Sequence, residues 1–224
     1  MYSACIFDLD GTLANTLYSI ASFSNAALGR CGYPPIPDED YRRIVGDGTD
    51  VQLHRMLRRV CGDNGFSERD VAALKGIYSA LYGSDPVHLV RGYPGMRETV
   101  AALRKSGIRT AVLSNKPDAW AKVIVGSLFP PGSFDFCYGQ SPLFARKPSP
   151  EGALRIAEGF GLSPREILYI GDTNTDMKTG KSAGMDTAGA LWGFRDRAEL
   201  EENHATYVME SPKEIPPLVL GGKR

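Results

Sequence analysis

From Gly92 onward, short apolar runs alternate with amphipathic segments of helical length. This alternation constrains the fold more than any other feature. Arg109 to Leu113, Phe134 to Tyr138, Ile167 to Ile170, Thr187 to Leu191 and Thr206 to Val208 read as strands. Met96 to Ser106, Pro117 to Leu128, Pro150 to Phe160, Thr175 to Ala183 and Asp196 to Glu202 read as helices, followed by a last helical turn. Three of them stop at Gly107, Gly161 or Gly184, where a residue without Cβ ends a helix at little steric cost. Strands separated by helices of this length form βαβ units and a parallel sheet. The strand runs are mostly apolar, as expected when helices cover both faces.

One further run, Ala4-Cys5-Ile6-Phe7, stops at the polar turn Asp8-Leu9-Asp10-Gly11. After it, from about Ser19 to Tyr82, the texture changes. Apolar residues recur at helical spacing, as in Val51, Met56, Leu57 and Val60, and again in Val71, Leu74, Tyr78 and Leu81. Loops fall at 32–35 (Gly-Tyr-Pro-Pro) and 62–65 (Gly-Asp-Asn-Gly). The expectation is an α/β fold. It has a doubly wound parallel sheet core from residues 1–16 and 88–224, and a small inserted α-helical cap domain at 17–87. The linkers run near Ala14 to Tyr18 and Gly83 to Gly92.

Lys plus Arg and Asp plus Glu both number 26, so no cationic surplus remains to neutralise a nucleic-acid backbone. No apolar run reaches membrane-spanning length, and Met1 to Leu9 lack a leader pattern. Cys5, Cys31, Cys61 and Cys137 form no C-x-x-C pair and read as neutral thiols. A cytoplasmic monomer or homodimer is expected, with neither nucleic acid nor membrane as partner.

Open parallel sheets bind ligands beyond the carboxyl ends of their strands. Those ends carry Asp8-Leu9-Asp10-Gly11-Thr12, Ser114-Asn115-Lys116, Arg146-Lys147-Pro148 and Gly171-Asp172-Thr173-Asn174-Thr175-Asp176. The set suits phosphoryl transfer, which needs a nucleophile, a hard cation, donors for the phosphoryl oxygens and an acid for the leaving group. A carboxylate can be the nucleophile and form an aspartyl-phosphate. Asp8 and Asp172 supply carboxylates for Mg²⁺, and Lys147 supplies a fixed positive charge. Ser114, Asn115 and backbone N–H groups after Asp8 serve the phosphoryl oxygens. Asp10, two residues from Asp8, leans to the same side and suits acid–base work.

At these residues the sequence resembles the haloacid dehalogenase-like superfamily. Its four motifs are D-x-D-G-T, a strand-end Ser or Thr, a Lys, and G-D-x-x-x-D. They match Phe7 to Leu13, Ser114, Lys147 and Gly171 to Asp176, in the family's order. The resemblance implies that Asp8 is the nucleophile, Asp10 the acid/base and Lys147 a charge stabiliser. It also implies that Mg²⁺ is held by Asp8, Asp172 and the backbone carbonyl of Asp10. Asp176, with Thr12, has a supporting role that alternates between the metal and the Lys.

Tyr93 to Met96, Val112 to Pro117 and Leu191 to Arg195 resemble the phosphoglycolate phosphatase branch. Gly46-Asp47-Gly48 is similar to the glycine loop by which such caps reach substrate, with Arg42 or Arg43 as possible helpers. Asn15 departs from the branch, which usually has Asp there. The resemblance implies a phosphomonoester hydrolase acting on a small phosphometabolite such as 2-phosphoglycolate. A phosphosugar mutase or pyrophosphatase on the same scaffold is the alternative within the superfamily. A non-catalytic, phosphorylation-switched binding protein is the alternative outside it, although receiver domains have no helical insert after the first strand. Dehalogenase activity is disfavoured, because that branch lacks an acid at the position of Asp10.

Overall fold

The computed structural model describes residues 2–63 and 65–221. Asn64 of the expected 62–65 loop, and Met1 and residues 222–224 of the expected core, lie outside the described residues.

The chain begins with strand β1 (Ala4–Phe7), a short strand β2 (Ala14–Asn15) and helix α1 (Leu17–Arg30). Helices α2 (Tyr41–Ile44), α3 (Thr49–Cys61) and α4 (Glu68–Ser84) follow, then strand β3 (Arg91–Gly92). The remainder alternates: α5 (Met96–Lys105), β4 (Arg109–Pro117), α6 (Asp118–Leu128), β5 (Phe136–Gln140), α7 (Glu151–Phe160) and β6 (Ile167–Gly171). It ends with α8 (Asn174–Ser182), β7 (Asp186–Ala190), α9 (Arg197–Glu202), β8 (Tyr207–Met209) and α10 (Ile215–Leu220). Among the described residues, the main sheet has six strands in the order β5-β4-β1-β6-β7-β8, each neighbour pair parallel. The expected doubly wound α/β architecture is the one observed.

Side chains alternate across a strand, so one strand feeds two cores. In β1, Ala4 and Ile6 join Ala111, Leu113, Ile167 and Tyr169 against α7. Cys5 and Phe7 join Val112, Leu168 and Ile170 on the other face, against α5, α6 and α10. β1 sits between β4 and β6, at the centre of the sheet. The residue that follows it therefore emerges where the strand order reverses.

Three local differences from the sequence expectation have physical causes. β4 continues to Pro117, four residues past its apolar run, because Pro117 pairs with Gln140 across a register shift. β5 starts at Phe136 rather than Phe134. Phe134 is spent on packing edge-on against Phe7 and Phe129, with ring centroids 6.3 and 5.2 Å apart. The pair β2–β3 was not anticipated. Ala14 opposes Gly92 and Asn15 opposes Arg91, so the two connections to the helical insert run antiparallel, side by side. Asn15, the unusual residue, also accepts a hydrogen bond from the Leu17 N–H at 3.3 Å, at the entrance to α1.

Within the insert, α4 starts with a capping box between Ser67 and Asp70. Tyr82 of α4 stacks on Trp120 of α6, with centroids 4.8 Å apart, which ties insert to sheet layer. No helix among the described residues is long and apolar enough to cross a membrane.

Phe7 is fully buried at the end of the central strand. Phe7→Ala is expected to destabilise the fold by about 3–5 kcal/mol. Val123→Ala on the outer face of α6 should shift stability by no more than about 0.5 kcal/mol. Urea unfolding of both variants checks the contrast; equal shifts would contradict this placement of the core.

Candidate active site

The turn after β1 brings Asp8 and Asp10 to the carboxyl edge of the sheet. The Asp8 N–H donates to the Ile170 carbonyl at 2.8 Å, continuing the sheet ladder by one residue. The N–H groups of Leu13 and Ala14 both donate to the Leu9 carbonyl, closing a tight turn. Gly11, at φ +86°, sits inside it, and a Cβ there would lie 2.1 Å from the Asp172 carboxylate. Only glycine serves both the backbone angle and the approach.

Asp172 follows β6 and is fully buried. It accepts hydrogen bonds from the Thr12 hydroxyl at 3.1 Å and the Phe194 N–H at 2.8 Å. Asp176 lies in the first turn of α8. Its carboxylate accepts from the Thr173 N–H and hydroxyl at 3.1 and 2.7 Å, completing a capping box, and from Lys147. Capping and site-building therefore fall to the same side chain.

Lys147 joins these elements. Its Nζ lies 2.7 Å from Asp8 Oδ1 and 2.7 Å from Asp176 Oδ1, with all three side chains buried. Burial works against its charge, but Asp176 and then Asp8 outweigh burial and hold its pKa well above the usual lysine value. Burial, with the Asp176 charge adding, pushes the Asp8 carboxyl up to about 7, against the pull of Lys147. Burial, then Asp176 and Asp8, push Asp172 well above the ordinary carboxylate range. Ligand oxygens of Asp8, Asp172 and Asp176 all lie within 4.8 Å of one another.

Asn115 fixes the loop that carries Lys147. Its Oδ1 accepts from the Lys147 N–H at 2.9 Å, and its Nδ2 donates to the Lys147 carbonyl at 3.1 Å and the Gly46 carbonyl at 3.3 Å. The side chain is thus occupied by protein at both ends. Ser114 is buried beside Asp8 and Asp10 on the wall of a small pocket, and its Oγ accepts from the Lys116 N–H at 3.2 Å.

The helical insert closes this pocket. Val45, Gly46 and Gly48 line it from one side, and Ile20, Gln52 and Tyr78 from α1, α3 and α4. The free space inside measures about 30 Å³, room for about two waters. Asp47 is absent from the lining. Its carboxylate accepts from the Thr175 hydroxyl at 2.5 Å and pairs with Arg55 at 2.6 Å. Burial opposes its charge, but these donors hold its pKa below the usual value. Arg42 donates to the Gly193 carbonyl at 2.8 Å, and Arg195 donates to the carbonyls of Arg42 and Val45. Among the expected helpers, Arg42 thus binds the core backbone, and Arg43 lies on an outer groove with Arg55, Arg58 and Arg59.

Two contacts at the site have no counterpart in the sequence reading. Arg195 was noted only within a matching segment. Lys116 was read as part of a polar strand end, yet its Nζ bonds both Asp10 oxygens at 3.0 and 3.2 Å. Its own residue type, a lysine at a strand end facing the first motif, was the available signal.

A family model described as haloacid dehalogenase-like hydrolase matches residues 5–190. The chain is 31% identical over 206 residues to a phosphoglycolate phosphatase of Mannheimia succiniciproducens, covering 91% of this chain and 92% of that one. It is also 31% identical to a phosphoglycolate phosphatase of Xylella fastidiosa, covering 96% and 90% of the two chains. A crystal structure of a "predicted phosphoglycolate phosphatase" from Haemophilus somnus superimposes with a TM-score of 0.90 at 27% identity, covering 97% of each chain. With the match spanning the sheet, the strand-end residues and the insert, the chain belongs to the haloacid dehalogenase-like hydrolase family.

Proposed function

We propose that this chain is a magnesium-dependent phosphomonoester hydrolase whose nucleophile is Asp8, and that 2-phosphoglycolate is its substrate. One observation carries the chemistry: the ammonium of Lys147 is wedged between Asp8 and Asp176 beside Asp172, under a closed insert. The similarity to phosphoglycolate phosphatases over most of the chain supports the substrate.

The acidic cluster fits a hard divalent cation. Three buried carboxylates share one ammonium, and burial with their mutual repulsion pushes Asp8 and Asp172 up toward their protonated forms, so the cluster is short of positive charge. Their oxygens are the donors Mg²⁺ prefers. Asp8, Asp172 and the Asp10 carbonyl are the residues assigned to hold it, with Thr12 orienting Asp172. When bound, the ion supplies charge neutralisation that lets an anionic nucleophile meet an anionic phosphoryl group.

In the reaction, an Asp8 oxygen attacks phosphorus and the ester oxygen departs, taking a proton from Asp10. Water then attacks the aspartyl-phosphate and gives its proton back to Asp10, releasing inorganic phosphate. Lys147 and Ser114 serve the phosphoryl oxygens. Asn115 acts through the loop that it clamps, and Asp176 acts by holding Lys147. The insert at 17–87 is assigned the role of a cap that excludes water during transfer. Gly46 and Gly48 are among its residues on the pocket wall, and Asp47 anchors it to α8.

Asp8→Asn replaces the attacking oxygen charge while keeping shape. Turnover is expected to fall by roughly 10³-fold or more, with an unchanged circular dichroism spectrum. Substantial residual turnover in folded protein would contradict the nucleophile assignment.

Metal dependence follows from the raised Asp8 carboxyl. An acid must lose its proton to bind a cation, so protons and Mg²⁺ compete. Affinity for Mg²⁺ is expected to climb as pH rises through about 7, the Asp8 value, and to level off only once Asp172, also raised, has lost its proton. The climb should approach about tenfold per pH unit for each proton displaced. Calorimetric titration of EDTA-treated protein across this range reads it directly, and affinity independent of pH would rule it out. EDTA treatment should also abolish phosphatase activity, with Mg²⁺ restoring it.

Gly48 has φ +89°, and an added Cβ would meet Gln140, Arg146 and the Asn115 carbonyl at 3.4–3.6 Å. Gly48→Val therefore strains the loop and disturbs closure at the same time. It should lower kcat/KM for phosphoglycolate by about 10-fold or more while sparing aspartyl-phosphate formation from acetyl phosphate. Equal losses in both assays would place the defect in the core rather than in the cap.

A further inference from the structure

Lys147 has two carboxylates within 2.7 Å and serves the phosphoryl side of the pocket. Lys116, unlike Lys147, lines the pocket itself, and its environment is different. Its side chain is 5% exposed and its Nζ contacts one carboxylate, Asp10, at 3.0 and 3.2 Å. The same Nζ lies 4.6 Å from the centroid of the Tyr82 ring, a cation–π contact to the insert. An ammonium has three donors. Two of them meet the Asp10 oxygens and the Tyr82 ring takes the cation from another side, so a further acceptor would have to share them; Lys116 lines the space enclosed under the insert.

Position then decides which further acceptor this cation can share its donors with. Asp10 is the residue assigned to work at the ester oxygen, so an ammonium 3.0 Å from it stands beside whatever substituent that oxygen carries. The other walls of that space are Ile20, Val45, Gln52, Tyr78 and Trp120, none of them cationic.

We propose that Lys116 is the specificity-determining residue of the pocket, binding a carboxylate carried on the leaving group next to the ester oxygen. In 2-phosphoglycolate that carboxylate is one methylene away from the ester oxygen. The Lys116 ammonium thus holds the substrate carboxylate and the Asp10 side chain on adjacent donors, with Tyr82 closing over the cation. The proposal rests on the phosphatase reading above and adds to it the side chain that selects the substrate.

The test compares 2-phosphoglycolate with 2-hydroxyethyl phosphate, which replaces the carboxylate by a neutral group of similar size. Wild-type enzyme is expected to prefer phosphoglycolate by at least about 10-fold in kcat/KM, the range of a charge-assisted hydrogen bond. Lys116→Met should slow both esters, because Asp10 loses its partner, but should cut the preference by about 10- to 100-fold. Lys116→Arg, which keeps the charge, should retain most of the preference. Proportional losses on both esters in folded Lys116→Met would overturn the proposal, reducing Lys116 to a support for Asp10. If that variant does not fold, the wild-type comparison decides alone: a preference under about twofold overturns the proposal while leaving the phosphatase reading intact. Hydrolysis of neither ester, with p-nitrophenyl phosphate still cleaved, would sink the substrate assignment and this proposal together. No cleavage of any ester would instead sink the phosphatase reading itself.

Discussion

Everything at the carboxyl edge of the sheet is arranged around one buried ammonium. Lys147 touches Asp8 from β1 and Asp176 from α8, and its loop is clamped by Asn115 from β4. Three separate strand ends thus meet at a single charge. Desolvating such a group is costly, and the attraction of the two carboxylates must offset that cost. The same arrangement leaves the acidic side over-supplied, with Asp172 close by and held by Thr12 and Phe194. A site with this imbalance is poor at stabilising a fold by itself and well suited to receiving a cation and an anion together.

Much of this was legible in the sequence, and for a physical reason. Glycines and polar residues at strand ends mark where a parallel sheet exposes its carboxyl edge. Asp8, Ser114, Lys147 and Asp172 all stand at such places. The βα alternation placed the main-sheet strands to within about two residues, except the end of β4, which runs four residues further. What local pattern could not supply was pairing across long separations. The Lys116 contact with Asp10 links residues 106 apart, and the Arg195 contact with Arg42 spans 153. Neither leaves a periodic trace: the first depends on how two strand ends of the sheet are brought together, the second on how the insert is seated. The β5 boundary failed for a related reason. Phe134 looks like a strand residue, but its ring is drawn into the cluster with Phe7 and Phe129.

Several of the contacts between the insert and the sheet edge are hydrogen bonds to backbone carbonyls or between polar side chains. Arg42, Arg195, Asn115 and Thr175 form them, alongside the stacked pair Tyr82 and Trp120. Hydrogen bonds exchanged with water cost little to break, whereas a deep apolar interface would hold the two parts together more firmly. The polar part of the interface is thus specific in geometry and open to exchange with water, while apolar residues of the insert and the sheet layer share one buried cluster.

The β2–β3 pair has a consequence beyond joining two segments. The insert departs from the sheet layer at Ala14 and Asn15 and returns at Arg91 and Gly92, and these residues are directly hydrogen-bonded neighbours. To the core, the excursion is therefore a loop whose ends already coincide. Closing a loop costs free energy that grows only slowly with its length, so the core is almost indifferent to how many residues lie between those strands. Such a junction can accept shorter or longer excursions without disturbing the strand ends that hold the charges. Chemistry and selectivity can then diverge on separate stretches of one chain, because the stitched pair insulates the first from changes in the second.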